Sequence, residues 1–301
     1  MYVDTASADL SGGRIMYSHR RFNCLLSLLI ALSIVLGAVF VCPGESYALK
    51  KKPASRTKFI AHRGLSSKAP ENSLAAFKLA ARNKKFYGVE FDVWEATSAP
   101  GETPLLLVMH DNNTQRMTGI YSDIRTLNRW SLGQYKIRKG KRVKKFRNQR
   151  IPTIEESLNT IWAYSRGAIP VIELKHRLSP AAMEYLLNCV GQHQTVIISF
   201  DFDAVSDAVQ KAREMGLSGN ISTMYVSRYL TAGDYASTIA SMYAAGIDSI
   251  SLRYNIVNKY TVSAFHNAGL KVCVWTVPNR KSVRKFKKMG VDYITENNAY
   301  F

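Results

Sequence analysis

Cysteine is scarce in this chain and carboxylate is scarce relative to Lys and Arg, and each shortage closes off a class of protein. Of the four cysteines, Cys24 and Cys42 fall in an N-terminal apolar run, which leaves Cys189 and Cys273. Two thiols so far apart make no disulfide framework, so both are expected as small buried side chains. Acidic residues number 22 against 41 Lys and Arg, a formal net charge of +19. An excess that large draws polyanions: nucleic acid, anionic lipid surfaces or phosphate-rich polymers. Its densest part, KIRKGKRVKKFRNQR from Lys136 to Arg150, contains no acidic residue, and a second basic cluster runs from Arg280 to Lys288. Repeats and low-complexity linkers are also missing outside the basic run, which leaves one mature domain as the simplest division.

What is present begins with an address. Arg20 and Arg21 precede an apolar run from Phe22 to Cys42, followed by Pro43-Gly44-Glu45-Ser46-Tyr47-Ala48. Basic, then apolar, then small is the order of an export signal, with Ser46 and Ala48 placed for cleavage. The run also approaches the roughly 17–25 residues of a membrane span, so the expectation for residues 1–48 is a signal peptide or an N-terminal anchor. Cleavage fits the flanking pattern better. Val41 argues against lipidation of Cys42. Either way the bulk of the protein is expected outside the cytoplasm, secreted or associated with the cell surface or membrane.

From residue 49 onward a repeated grammar appears: a β-rich run, a turn, an amphipathic helix. Strands are expected over 58–62, 87–94, 169–175, 195–200, 220–226, 247–252, 271–276 and 292–295, with helices over 73–84, 154–166, 180–193, 204–215, 235–245, 259–268 and 282–289. Eight strands alternating with helices predict an α/β fold, a closed (β/α)8 TIM barrel. Gly216, Gly246, Gly269 and Gly290 stand where helices should end in a left-handed cap. After the last strand only 296–301 remain, so the last helix is truncated. One interval breaks the rhythm: a hairpin over 95–110, then an inserted segment, 112–150, with little periodicity. Such an excursion is expected above the carboxyl ends of the strands, where barrels of this class build their sites.

Polar residues gather at those strand ends. His62 and Arg63 close strand one; Glu90 and Asp92 lie two apart on strand two and so share a face; Glu173 and Lys175 end strand three, and Trp275 ends strand seven. Three converging carboxylates repel one another unless a cation sits among them. An all-oxygen donor set suits calcium or magnesium better than zinc. His62 and His110 are the candidate proton carriers, while Arg63 and Lys175 offer positive charge to a phosphate. His19, His193 and His266 read as ordinary surface or core histidines, and His176 should point away from the site by strand alternation. Together the set describes phosphodiester cleavage.

His62-Arg63-Gly64, Pro70-Glu71-Asn72-Ser73, Val89-Glu90-Phe91-Asp92-Val93, His110-Asp111, Pro152-Thr153-Ile154-Glu155-Glu156, Ile172-Glu173-Leu174-Lys175 and Val274-Trp275-Thr276-Val277 follow in order over nearly the whole mature chain. In these motifs the sequence resembles the glycerophosphodiester phosphodiesterase family. The resemblance implies a (β/α)8 barrel, a divalent ion, Ca2+ or Mg2+, on Glu90, Asp92 and Glu173, and His62 and His110 as the acid-base pair. It further implies phosphate contacts from Arg63 and Lys175, and Trp275 on the glycerol side. The expected reaction hydrolyses a glycerophosphodiester to sn-glycerol 3-phosphate and an alcohol. Two departures concern the rim: a longer connection over 96–103, and Thr295-Glu296-Asn297-Asn298 where the family ends in Thr-Asp-x-Pro. Alternatives are a phospholipase D-like activity on lysophospholipid, attack on a glycerol-phosphate polymer of the cell wall (a teichoic acid), and a silent polyanion-binding module. The basic insertion is expected to meet an anionic wall polymer or membrane surface, with no specific nucleic-acid partner. Asn72 is the expected N-cap of the first helix, and Glu71 an outer support of the site.

Overall fold

The computed structural model describes residues 57–99 and 101–301. The expected signal or anchor, 1–48, lies outside the described residues. Eight parallel strands close into a barrel: β1 (Lys58–Ala61), β2 (Phe86–Ala96), β4 (Ile169–Leu174), β5 (Thr195–Ser199), β6 (Ile221–Ser227), β7 (Ser249–Arg253), β8 (Lys271–Trp275) and β9 (Tyr293–Glu296). Pairing of β1 with both β9 and β2 completes the ring. The remaining strand, β3 (Leu105–Val108), folds back antiparallel on the extension of β2, with Val93 opposite Val108 and Ala96 opposite Leu105. It is the second arm of the expected hairpin.

Strand alternation divides the apolar residues into two layers. Ile60, Val171, Val196, Ile198, Met224, Val226, Cys273 and Tyr293 fill the barrel interior. Their neighbours in sequence, such as Ala61, Ile172, Ile197 and Val274, face outward into the layer shared with the helices. The interior is narrow at Gly88, where an added Cβ would stand 2.6 Å from a methyl of Val171. Cys273 is buried and Cys189 half-buried, both as free thiols, in keeping with their scarcity.

The outer layer holds α1 (Leu74–Ala81), α3 (Ile154–Tyr164), α4 (Pro180–Val190), α5 (Phe202–Glu214), α6 (Tyr235–Ala245), α7 (Lys259–Asn267) and α8 (Arg280–Met289), with the single-turn α2 (Gln115–Thr118) inside the insertion. The start of α3 was legible in Thr153-x-x-Glu156: the threonine hydroxyl accepts the Glu156 N–H, and the glutamate accepts the Thr153 N–H in return. Gly216, Gly246, Gly269 and Gly290 all take left-handed φ, between 70° and 83°, as their positions required. Among the described residues no helix is long and apolar enough to cross a membrane.

The insertion has more structure than its sequence pattern suggests. Met117, Ile124, Leu127, Leu132, Tyr135, Ile137 and Ile151 form a small core of their own against Leu105 and Leu107 of β3. These residues show no helical period because the backbone between them runs through α2 and single 3-10 turns at Ile124–Thr126, Leu132–Gln134 and Val143–Phe146.

Among the described residues no helix follows β9. The ring of Phe301 packs edge-on against Phe59 and Phe86, each at 5.0 Å, over the outside of β1 and β2. Buried Glu296 accepts the Tyr300 N–H, and this burial pushes its carboxyl up to about 7. A carboxyl that binds its proton more tightly when folded favours the fold below pH 4.5, its ordinary value; that contribution fades as pH rises through 7. Glu296→Gln is therefore expected to raise stability at pH 8 by about 2–3 kcal/mol and to leave it unchanged near pH 4, as read by urea melts at the two pH values. An equal effect at both would show that the carboxyl ionises freely.

Candidate active site

The site begins where β1 runs out of ladder. The His62 N–H still reaches the carbonyl of Glu296, at 2.9 Å, but Arg63 and Gly64 then turn into left-handed backbone, φ 55° and 73°. That reversal aims two successive amides at Glu90: Arg63 N–H donates to its Oε2 at 2.7 Å and Gly64 N–H to its carbonyl at 3.0 Å. Only glycine fits the second position, because a Cβ there would lie 2.7 Å from the carbonyl carbon of Ala76 on α1.

The loop then brings Asn72 under the mouth, again with positive φ, 51°. Its side-chain amide donates to Asp92 Oδ2 at 2.7 Å and its Oδ1 accepts the Asp92 N–H at 3.3 Å. The helix is capped instead by Ser73, whose Oγ accepts the Ala76 N–H. The expectation of Asn72 as cap is thus corrected by one residue. Both side chains can cap; the left-handed turn at Asn72 is what swings its amide inward and frees Ser73 for the helix.

Glu90, Asp92 and Glu173 converge as the two-residue spacing requires, all buried, with one ligand-capable oxygen from each within 4.8 Å of the others. Asp92 and Glu173 are register partners across β2 and β4. Lys175 Nζ stands 2.6 Å from Glu173 Oε1 and 3.3 Å from Asp92 Oδ1, and Arg63 Nε 3.4 Å from Asp92 Oδ2. The three carboxyls respond unequally. Burial alone would raise Asp92, but Lys175 and Arg63 hold it down at about 2. Burial and the charge of Asp92 push Glu173 up to about 6, and the same two causes, with Glu173 added, drive Glu90 well above the carboxylate range. Glu90 Oε1 is buried with no hydrogen-bond partner among the described residues. Three close oxygens, one of them orphaned, fit a hard divalent cation.

The histidines flank this cluster. His62 Nδ1 faces Asn297 Oδ1 at 2.7 Å, and His110 Nδ1 faces Asp111 Oδ1 at 2.8 Å. An oxygen acceptor at Nδ1 fixes the ring proton there and leaves Nε2 as the free nitrogen of each ring. Burial, then the charge of Arg63, lowers His62 to about 4; burial also lowers His110, against the pull of Asp92. Trp275 lies across the mouth on β8, its Nε1–H donating to the Ser251 carbonyl at 3.2 Å and its ring meeting Phe200 edge-on at 5.2 Å.

Arg63, Glu90, Asp92, Glu173 and Lys175 thus form one bonded cluster, while His62, His110 and Trp275 stand around it. His176 points away and stacks on Trp94, as alternation predicts. His193 stacks on Trp162 and His266 bonds Asp292, both outside the site. Two participants were not legible. Arg116, from α2, donates to both Asp111 and Glu71, and Glu71 in turn accepts from Arg63 at 2.9 Å. Asn297 orients His62 from beyond β9, within the Thr295–Asn298 departure that was expected only to alter the rim, and no motif flagged Arg116.

Comparison with known proteins agrees with this geometry. Residues 62–299 match the model of the glycerophosphoryl diester phosphodiesterase family. A Rattus norvegicus protein named glycerophosphodiester phosphodiesterase 1 is 38% identical over 276 residues, covering 82% of this chain and 80% of that protein. The glycerophosphodiester phosphodiesterase of Caldanaerobacter subterraneus is 28% identical over 79% of this chain and 93% of its own. The barrel also superposes on an Oleispira antarctica phosphodiesterase solved with the product sn-glycerol-3-phosphate, TM-score 0.64 at 23% identity, covering 81% of this chain and 94% of that one. A glycerophosphodiester phosphodiesterase from Agrobacterium tumefaciens gives 0.63 at 21% identity, over 80% and 96%. These two structures share the fold; the family model and the rat relative carry the assignment. The chain belongs to the glycerophosphoryl diester phosphodiesterase family of hydrolases.

Proposed function

We propose that the protein is a metal-dependent hydrolase of glycerophosphodiesters, releasing sn-glycerol 3-phosphate and an alcohol. The observation that carries this reading is the unpartnered buried oxygen of Glu90 within a carboxylate triad that two cations and two Nδ1-anchored histidines surround. Glu90, Asp92 and Glu173 would hold the ion, which when bound supplies positive charge to a phosphate oxygen. Arg63 and Lys175 add fixed charge beside it, stabilising the negative charge that builds on the phosphoryl group. With Nδ1 occupied, each histidine presents Nε2. One takes the proton of the attacking hydroxyl, and the other, entering the step protonated on Nε2, gives that proton to the departing alkoxide; where the glycerol 2-hydroxyl attacks, water then opens the cyclic phosphate to sn-glycerol 3-phosphate with the two roles exchanged. Asp111 and Asn297 hold the rings for these transfers. Trp275 offers an apolar wall to the glycerol carbons.

The export segment, 1–48, supports an enzyme acting outside the cytoplasm. A second reading, action at a phosphate-rich wall polymer or an anionic membrane surface, is favoured by the insertion. Lys136, Arg138, Lys139, Lys141, Arg142, Lys144, Lys145 and Arg147 are all exposed, and none forms an ion pair among the described residues. Gly140, between them, presses on Pro70 of the catalytic loop, where an added Cβ would lie 2.8 Å from the Pro70 Cα.

Three outcomes are expected. His62→Ala and His110→Ala should each lower kcat on glycerophosphocholine by about 100- to 10,000-fold, with chelator abolishing wild-type turnover; full activity in the double variant would end the acid-base assignment. Calcium or magnesium at about 100 times its Kd should stabilise the wild type by ~2.7 kcal/mol in thermal melts. Glu90→Gln should lose that gain yet melt higher than wild type without metal, because a carboxyl that the fold makes costly to ionise is replaced by a neutral amide; an unchanged metal response would exclude Glu90 as ligand. Neutralising Lys139, Lys141, Arg142, Lys144 and Lys145 together should weaken salt-dependent retention on polyanions while sparing small-diester turnover. Parallel loss of turnover would place the loop inside the active site.

A further inference from the structure

A cleft of about 560 Å³ opens from Glu173 and Lys175 toward the carboxyl ends of β5 and β6. Trp94, Phe200, Tyr225 and Tyr229 give it aromatic walls. Its charged groups are unequally engaged. Lys175 is bonded to Glu173 and Asp92, and the Asp201 carboxylate caps α5 by accepting the N–H groups of Asp203 and Ala204. Arg228 has no ion-pair partner among the described residues. Its guanidinium lies over the ring of Phe200, 4.5 Å from the centroid, and Phe200 is itself held by Trp275. The following turn is braced by Ser227, whose Oγ donates to the Tyr229 carbonyl at 2.7 Å and accepts the Tyr229 N–H. Arg228 is exposed, its guanidinium stacks on Phe200, and it still has N–H donors to offer.

We propose that this cleft receives the alcohol side of the substrate and that Arg228 selects alcohols carrying a second anionic group, a phosphate or a carboxylate. This rests on the function proposed above. The cleft is continuous with the candidate site, since Glu173 and Lys175 line it and its wall Phe200 meets Trp275, so a diester held at Arg63 and Lys175 with its glycerol against Trp275 would have the cleft open to its second ester arm. Aromatic walls alone would welcome a quaternary ammonium such as choline. Arg228 already occupies the face of Phe200, and its charge repels a second cation while its fork offers paired N–H donors to an oxyanion. The favoured class is a glycerophosphodiester whose alcohol bears its own phosphate, as a repeating glycerol-phosphate chain does, or a carboxylate, as serine does.

The test compares kcat/KM, in the presence of calcium or magnesium, for glycerophosphocholine, glycerophosphoserine and a phosphate-terminated glycerol-phosphate dimer. Wild type is expected to favour the anionic alcohols. Arg228→Gln should lower the anionic-to-choline ratio about tenfold, chiefly through KM, and Arg228→Glu should invert the preference. The serine and phosphate arms separate a carboxylate reader from a phosphate reader. Arg166→Gln, an exposed charge at the other end of the barrel beyond α3, should leave the ratio where it was. A ratio that stays the same in both Arg228 variants, with turnover intact, would overturn the subsite and leave the enzyme reading standing. Failure of wild type on all three diesters would instead overturn the enzyme reading.

Discussion

Three carboxylates buried within 4.8 Å of one another govern how this barrel mouth is built. At that separation two full charges repel by ~3–4 kcal/mol even at an effective dielectric near 20. Each neighbouring feature offsets part of that cost. The left-handed turn at Arg63 delivers a backbone amide to the Glu90 carboxylate, Asn72 grips Asp92 from below, and Lys175 bridges Asp92 and Glu173. Relief is incomplete, since Glu90 and Glu173 still bind protons more tightly than ordinary carboxylates and one Glu90 oxygen has no partner. A site in that state is prepared for a divalent cation.

The insertion belongs to the same construction. Its helix α2 sends Arg116 to Asp111 and Glu71, so the orientation of His110 and the placement of Arg63 depend on a segment that contributes no strand to the barrel. Gly140 on Pro70, and the Gln149 side chain accepting the Ala75 N–H, fasten the basic stretch to the loop that opens the site. A polyanion drawn to that stretch would already be beside the mouth. The basic stretch and the candidate site thus lie at one end of the barrel.

The interior below the mouth is filled by Ile60, Val171, Val196 and Met224 together with the buried hydroxyls of Ser251 and Thr295 beside Cys273, and it carries the carboxylates only toward the strand ends. The rim is different on its two sides: cations and histidines near β1 and β2, aromatic walls and Arg228 near β5 and β6. The two sides of the rim therefore differ in the chemistry that they offer a bound molecule.

Sequence alone determined the barrel and the charged cluster. Period-two strands carry Glu90 and Asp92 to one face, glycine caps time the helices, and Thr153-x-x-Glu156 starts α3; these are local rules that survive any tertiary context. The same locality explains what stayed hidden. Asn72 and Ser73 are both capping residue types, and only the backbone turn imposed by the barrel decides which faces Asp92. Arg116 and Asn297 reach the site from segments without period, Asn297 across 235 residues to His62, and no spacing rule connects such pairs. The insertion's core was invisible for a related reason: apolar residues joined by turns leave no periodic trace. Which oxygen of Glu90 is left alone, and which arginine in the cleft is left unpaired, depends on every neighbour at once, and that only packing could settle.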